Sequence, residues 1–506
     1  MSGVGRTSAI ALLGVRARCI EVEAHLTSQL PGFSIIGLPD TSLGEARERV
    51  RAAAANAGSP LPARRITVNL TPAAIPKRGS GFDLAIAMAV LAAAEVAPDV
   101  SERTAYVGEL GLDGRVRPVH GVIPMLLAAR EAGIERVVLP VGNLAEARVV
   151  SGVQVVGVDS LRAAAIAGGA LLPPVQVDPV LAPELPAAPA PAAELADVVG
   201  NPIGVRAVIA AAAGGHHALL LGPPGAGKTM LAERLHGILP DLDDEAALEL
   251  ATVRSVAGAG AASWTTRPPW EAPHHSASAV SLIGGGSGTV RPGAVSRATR
   301  GVLFLDEAPE FPRAVLDALR QPLESGTVTV HRAAGAAEFP ARCQLLLAAN
   351  PCPCGNAGQG TQPCECPPST VRRYLARMSG PLLDRLDIRV RVPRVTTASI
   401  RAADGGTPTS AEARTLVVGA RDRARARLDG TGWTSNAQVS GAWLRGAGRS
   451  EPGSTATLDR ALDLGTLTMR GWDRTMRLAW TLADLEGAER PATHHVHEAL
   501  ALRGAL

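Results

Sequence analysis

The run HHALLLGPPGAGKTMLAERLHGI, residues 216–238, constrains this chain more than any other stretch. Four apolar residues lead into Gly222-x-x-x-x-Gly227-Lys228-Thr229, and helix-forming residues follow. An apolar strand, a glycine-rich turn and a helix in that order read as one unit of a parallel sheet. Glycines let backbone N–H groups converge on phosphate oxygens, and the helix presents the positive end of its dipole. The spacing predicts a phosphate loop made of Gly222, Pro223, Pro224, Gly225, Ala226, Gly227, Lys228 and Thr229, hence an ATP site. Lys228 is expected to reach the β- and γ-phosphates, and the Thr229 hydroxyl to hold Mg²⁺. A glycine-rich turn without function would share the spacing, but both flanks agree with the phosphate loop.

Two more apolar strands end in polar groups. GVLFLDEAPEF closes on Asp306, which fits the support of Mg²⁺, and Glu307, which would polarise an attacking water. Acidic pairs at strand ends often only mark a solvated loop, but the apolar run before them and the upstream phosphate loop favour function. CQLLLAAN stops at Asn350, which could orient the same water from a neighbouring strand; taken alone it would be a turn residue.

At 506 residues the chain exceeds one small core, and about 150 residues per domain suggests two or three. Residues 1–170 alternate strand-like runs (RRITVNL, RVVLPV, VQVVGV) with helical ones, an α/β pattern. Residues 171–196 are rich in proline and alanine and read as an extended linker. Residues 197–395 alternate apolar strands, helices and glycine-rich loops, and 396–506 read as helices. The start, MSGVGRTSAIALLGVRA, makes a poor signal peptide. LAIAMAVLAAAEVA is too short to cross a bilayer, so a cytoplasmic protein without a membrane partner is expected. The net charge is only +3, so nucleic acid would need local basic patches.

The segments GPPGAGKT, APHHSASAVSLIGGG, GVLFLDEAPEF, LDALRQPLESGTVTVHR, FPARCQLLLAANPCPCG and SGPLLDRLDIRVRV resemble the magnesium-chelatase-like AAA+ ATPases of the YifB/ComM family. LPGFSIIGLPDTSLGEARERVRAAAANAG and ITVNLTPAAIPKRGSGFDLAIA match that family too, so the resemblance spans nearly the whole chain in the family's order. It implies a hexameric ring that couples ATP hydrolysis to movement on branched or single-stranded DNA in recombination or natural transformation, with recombination proteins as further partners. It also implies that Asn350 is sensor 1, that Arg385 is an arginine finger acting on the neighbouring subunit's nucleotide, and that Arg470 is the lid's sensor 2. For either arginine a surface salt bridge is the ordinary alternative. The fold implied is α/β: an N-terminal Lon-protease-like domain, then an AAA+ core with a helical lid. Lon-type peptidases use a Ser–Lys dyad. Here Gly81 stands at the serine position, with Ser80 one residue early, and Met125 at the lysine position, so an inactive scaffold that binds DNA or builds the ring is expected. The alternative function is a chelatase motor subunit driving Mg²⁺ insertion into a porphyrin; the fused N-terminal domain and a cysteine cluster argue against it.

That cluster, NPCPCGNAGQGTQPCECPP at 350–368, holds four of the six cysteines. In a reducing compartment such a group suggests metal or redox chemistry before disulfides. Cys352, Cys354, Cys364 and Cys366 supply enough thiolates for a closed structural Zn²⁺ site, although C-x-C is tighter than the common C-x-x-C; free thiols or a redox pair are the alternatives. Zinc would pin a loop that otherwise lacks a core and so fix the helix leading to Arg385.

The DNA-contact signals are weaker. GTVTVHRAAGAAEFPARC alternates like a hairpin, with His331 and Arg332 near its tip, where Arg332 could touch phosphates or simply be solvated. His274 and His275 read as a structural histidine pair and are not expected to bind metal. Arg421, Arg423, Arg425 and Arg427 read as a solvated helix face before a DNA groove. Aromatics are 3% of the chain, so base stacking is not expected to dominate.

Overall fold

The computed structural model describes residues 3–37, 41–77, 79–98, 100–181, 193–286, 290–332, 335–358, 363–401 and 406–504. It opens on a long antiparallel hairpin, β1 (Gly3–Leu13) and β2 (Arg16–Thr27), with Ala9 opposite Ile20. Gly14 makes the turn at φ +67°, where a residue with a Cβ would be strained. With β3 (Gly32–Ile36), β4 (Arg65–Thr71), β5 (Thr104–Tyr106), β6 (Arg136–Pro140) and β7 (Gln154–Val158) the hairpin builds a seven-stranded mixed sheet, order β3-β4-β2-β1-β5-β6-β7. Side chains alternate across the sheet. Ala9, Ala11, Ile20 and Val22 meet α2 (Asp83–Ala93) on one face, while Ile10 meets α3 (Val122–Glu131) on the other. α2 is buried nearly all round, as a helix of sequence DLAIAMAVLAA must be; among the described residues no helix is long and apolar enough to cross a membrane.

The second unit holds β8 (Ala218–Leu221), β9 (Trp270–Glu271), β10 (Val302–Leu305), a hairpin of β11 (Thr327–Arg332) and β12 (Gly335–Pro340), then β13 (Gln344–Ala349) and β14 (Ile388–Arg391). Five of these form a parallel sheet, order β9-β10-β13-β8-β14. ALLL, VLFL and QLLLAA are buried throughout, because helices and loops cover both faces of such a sheet. Parallel order brings the ends of β8, β10 and β13 to one edge, where ligands of open α/β sheets bind.

Toward the C-terminus α7 (Ser410–Leu428), α8 (Met469–Glu486) and α9 (Thr493–Arg503) pack on α4 (Pro202–Gly214). The solvated face expected of the α7 arginines is only half present. Arg421 donates from Nε and Nη2 to the Ala212 carbonyl at 3.0 and 2.7 Å. Arg427 holds Asp484 at 2.6 and 2.7 Å and lies 4.1 Å over the Trp480 ring. Both flank the buried stripe of Val417, Ala420, Ala424 and Leu428, so their charges are drawn inward, while Arg423 and Arg425 stay exposed. A buried ion pair ties these helices to the sheet: Arg474 Nη1 donates to Asp387 Oδ1 at 2.6 Å, and His216 Nδ1 lies 2.9 Å from Oδ2. Burial opposes ionisation of Asp387, but His216 and Arg474 outweigh it and hold the carboxyl well below its usual range.

The two units share an interface. α6 (Asp244–Ala257) lies against α3, with the Gly121 N–H donating to the Ser255 carbonyl at 3.0 Å and the Ile123 N–H to Ser255 Oγ at 3.2 Å. The β11–β12 hairpin packs Ala337 and Phe339 with Leu12 and Val15 of the β1–β2 turn. His331 is exposed; the Arg332 side chain and residues 333–334 lie outside the described residues.

Candidate functional site

The phosphate-loop sequence folds between β8 and α5 (Lys228–Ile238). Gly225 and Gly227 take φ +74° and +87° with open space around them, so glycine is required there by backbone conformation. Gly222 is required by packing: a Cβ would lie 2.2 Å from the Val392 carbonyl. A cleft of about 460 Å³ opens above the loop, lined by residues 224–230, Asp306, Glu307, Ala349 and Asn350.

Within the cleft the Lys228 ammonium donates to the carbonyls of Gly222 and Pro223 at 2.8 and 2.9 Å and to Asn350 Oδ1 at 2.9 Å. Burial pulls its pKa down, with Asp306 and Glu307 acting the other way. Thr229 Oγ1 donates to Asp306 Oδ2 at 2.7 Å. Asp306 Oδ1 accepts the Glu307 N–H at 2.9 Å, and Glu307 has φ +50°, a left-handed conformation uncommon for a residue with a side chain. Three strand ends thus bring Lys228, Thr229, Asp306, Glu307 and Asn350 together.

One neighbour of this group was not placed at the site by the sequence. His275 Nδ1 lies 3.6 Å from Glu307 Oε2, and the His274 and His275 rings are tilted by 36° with centroids 4.0 Å apart. The turn after β10 supplies this carboxylate, and a second cleft of about 360 Å³ joins the histidines to Thr229, Asp306 and Glu307.

Neither Arg385 nor Arg470 lines the nucleotide cleft. Arg385 precedes β14, whose Ile388 pairs with Ala218 at the start of β8, so it lies at the sheet edge opposite the cleft. It is 7% exposed; Nη2 pairs with Glu324 and Nη1 donates to the Pro381 carbonyl at 2.5 Å. Arg470 is exposed in the first turn of α8; burial first, and then Arg320, Arg470 and Arg474 against Glu324, pull the Arg385 pKa down.

The cysteines converge. Cys352 Sγ lies 3.3 Å from Cys354 Sγ and 3.6 Å from Cys364 Sγ, Cys354 and Cys364 are 3.6 Å apart, and all four sulfurs, Cys366 included, lie within 4.8 Å of one another. Four sulfurs on Zn²⁺ at ~2.3 Å would be about 3.8 Å apart, so the cluster fits a tetrahedral site after small adjustments. The Asn356 N–H and then the Cys352 thiol hydrogen-bond Cys354 and bring its pKa down to about 6, while Cys364, despite the Cys366 N–H, is pushed up to about 12 by burial and its neighbouring thiols, so one sulfur of the coupled group holds the charge. A second group of metal-ligating types, Glu486, His494 and His495, differs. The Ala492 N–H donates to His495 Nδ1 at 2.9 Å, so in the neutral ring Nε2 carries the proton and donates to Glu486 Oε2 at 3.1 Å.

In the N-terminal unit Ser80 Oγ donates to Glu109. Lys77 donates to the carbonyls of Gly37, at 3.0 Å, and Pro72. Met125 is buried in α3, and a Cβ on Gly81 would meet only Val119, at 3.9 Å.

Residues 194–400 match the family described as magnesium chelatase, subunit ChlI, residues 22–143 match subunit ChlI of Mg-chelatase, and 407–503 match the C-terminal region of that subunit. An uncharacterised protein of Mycobacterium tuberculosis is 48% identical over 506 residues, covering 99% of this chain and 98% of its own. The competence protein ComM of Haemophilus influenzae is 40% identical over 498 residues (97% and 96%), and the uncharacterised protein YifB of Escherichia coli is 39% identical over 499 (97% and 96%). Over 148 residues, 28% of this chain and 18% of the other, it is 32% identical to the Lon protease of Mycolicibacterium smegmatis. The chain belongs to the ComM/YifB-type magnesium-chelatase-like AAA+ proteins, a family that implies ATP hydrolysis and assembly into oligomers.

Proposed function

We propose that this protein is a ring-forming, DNA-stimulated ATPase that moves branch points or strands during recombination or natural transformation. The observation that carries the ATPase half is the meeting of Lys228, Thr229, Asp306, Glu307 and Asn350 in one open cleft. Lys228 would exchange its neutral acceptors for β- and γ-phosphate oxygens, and Thr229 and Asp306 would hold Mg²⁺, which neutralises developing charge when bound. Glu307 would take the proton of the attacking water, and Asn350 would orient that water. Because Arg385 lies at the far sheet edge, it would act on a second copy's nucleotide after leaving Glu324, which makes turnover depend on a ring. Arg470, beside it, would act at the same subunit boundary. The DNA half rests on 40% identity to a competence protein over 97% of the chain, and the exposed hairpin edge carrying His331 is its best contact. The cysteine cluster is proposed to hold structural Zn²⁺ through Cys352, Cys354, Cys364 and Cys366.

The test is steady-state ATPase with and without single-stranded, duplex and four-way-junction DNA, with Glu307→Gln as the blank. DNA stimulation that vanishes in the variant is expected. Robust hydrolysis indifferent to every DNA would overturn the motor, and a requirement for separate chelatase subunits would replace it with porphyrin metallation.

A further inference from the structure

The cysteine loop is not merely near the nucleotide cleft; it leans on the phosphate loop. Gly355, one residue past Cys354, has φ +80°, and a Cβ built on it would lie 2.3 Å from Pro224 Cδ and 2.7 Å from Pro224 Cγ. Five residues earlier, Asn350 accepts the Lys228 ammonium at 2.9 Å. The chain from Asn350 to Gly355 therefore touches the phosphate loop at both of its ends, and Cys352 and Cys354 lie between those contacts. Cys352 is fully buried; its sulfur accepts the Ala357 N–H at 3.3 Å and its carbonyl the Gly355 N–H at 3.0 Å. These few bonds and the sulfur contacts hold a turn with little apolar core of its own, so a metal bonded to four sulfurs would dominate its stiffness.

Pro224 makes the contact consequential. Its ring fixes φ and removes an N–H, so pressure on the ring moves the backbone as a block. The block carries Gly225 and Ala226, which line the cleft and whose N–H groups a phosphate would meet.

We infer that the metal in the cysteine knuckle, Zn²⁺ by its four-sulfur ligand set, buttresses the phosphate loop, so that its occupancy sets nucleotide affinity through the contact of Gly355 with Pro224. The inference rests on the zinc assignment proposed above and adds to it a route to the nucleotide. It makes Gly355 a positioning residue, distinct from the groups that touch phosphate.

The full-length protein supplies the test. Zinc per chain is measured by atomic emission, and binding of a fluorescent ADP analogue is titrated, in Mg²⁺, for protein as purified, stripped with a chelator that is then removed, and reloaded with Zn²⁺. Stripping is expected to weaken binding about tenfold, with recovery on reloading. Gly355→Ala should keep its zinc yet bind nucleotide about tenfold more weakly, because the added methyl overlaps Pro224. Gly358→Ala is the control, since Gly358 also has positive φ (+73°) in the same loop but its nearest neighbour is Arg391 Nη1 at 4.0 Å. It should retain both zinc and affinity. Zinc that can be removed without change in affinity, or a Gly355→Ala variant no weaker than Gly358→Ala, would overturn the buttress and leave the zinc site standing. Protein that neither contains nor takes up zinc would overturn both.

Discussion

The N-terminal unit and the nucleotide cleft of the second unit use their polar residues in opposite ways. In the N-terminal unit the conspicuous charges are buried with structural partners: Asp83, buried completely, receives Arg49 Nε and Nη2 at 2.7 and 3.0 Å, and Lys77, 1% exposed, is capped by backbone carbonyls. In the C-terminal unit Lys228 has three neutral acceptors, while two carboxylates, Asp306 and Glu307, face the same cleft without a cation bonded between them. A buried ion pair with its hydrogen bonds filled is a structural device, and removing one partner leaves the other uncompensated. What sets Lys228 apart from Lys77, which neutral carbonyls also hold, is the open cleft and the two carboxylates that line it, which suit anionic phosphate and a cation.

Lys228→Ala should break this contrast most visibly. ATP turnover is expected to fall at least about 100-fold through lost charge stabilisation in phosphoryl transfer. Burial already disfavours the ammonium in the folded protein, so its loss should leave the melting temperature within about 2 °C of wild type. Calorimetry alongside the ATPase assay decides the matter. A melting temperature lower by more than about 5 °C would make Lys228 a structural residue of the Asp83 kind.

The same contrast explains what the sequence disclosed. The phosphate loop was legible because its functional atoms lie within eight consecutive residues, and Asp306, Glu307 and Asn350 were legible as polar ends of buried strands. Their meeting depends on the strand order β10-β13-β8, which local pattern does not encode. His275 was noted as one of a histidine pair, but its contact with Glu307 was not legible, because the two are distant in sequence. β1 and β2 were not anticipated as strands: Arg16 and Arg18 interrupt the apolar pattern beside a turn that only Gly14 reveals. Arg421 and Arg427 misled because long side chains at the edges of a buried stripe reach inward as readily as outward. The contact of Gly355 with Pro224 joins two loops more than a hundred residues apart and left no trace in either.

A second prediction concerns the boundary between the units. Glu146 is 2% exposed; its Oε2 accepts from Asn143 Nδ2 at 3.3 Å, and Ser255 lies on its other side. Burial raises its pKa to about 7, against the hydrogen bonds from Ser255 and Asn143. Between about 4.5, the unfolded value, and about 7 the folded protein binds more protons than the unfolded one, so stability falls as pH rises through that window and levels off above it. Glu146→Gln, neutral at every pH, should be more stable than wild type at pH 8 by about 3 kcal/mol and nearly equal to it at pH 4.5. Urea unfolding at the two pH values is the measurement. An equal difference at both would mean that packing, and not the proton, distinguishes the two side chains.

The smallest expected effect is the sharpest test of the N-terminal unit. Ser80 is one residue from the position a Lon-type nucleophile would occupy, yet its hydroxyl donates to the carboxylate of Glu109. A serine that serves as a nucleophile gives its proton to a neutral base, and the lysine in this loop donates to the Gly37 and Pro72 carbonyls. Ser80→Ala should therefore cost no more than about 1 kcal/mol of stability, the usual worth of one partly buried hydrogen bond. ATPase and its response to DNA should match wild type, and neither protein should cleave casein or a fluorogenic peptide when ATP is added. ATP-stimulated cleavage that disappears with Ser80 would invert the comparison: the closed charges of the N-terminal unit would then be a resting state, opened when the ring assembles or nucleotide binds.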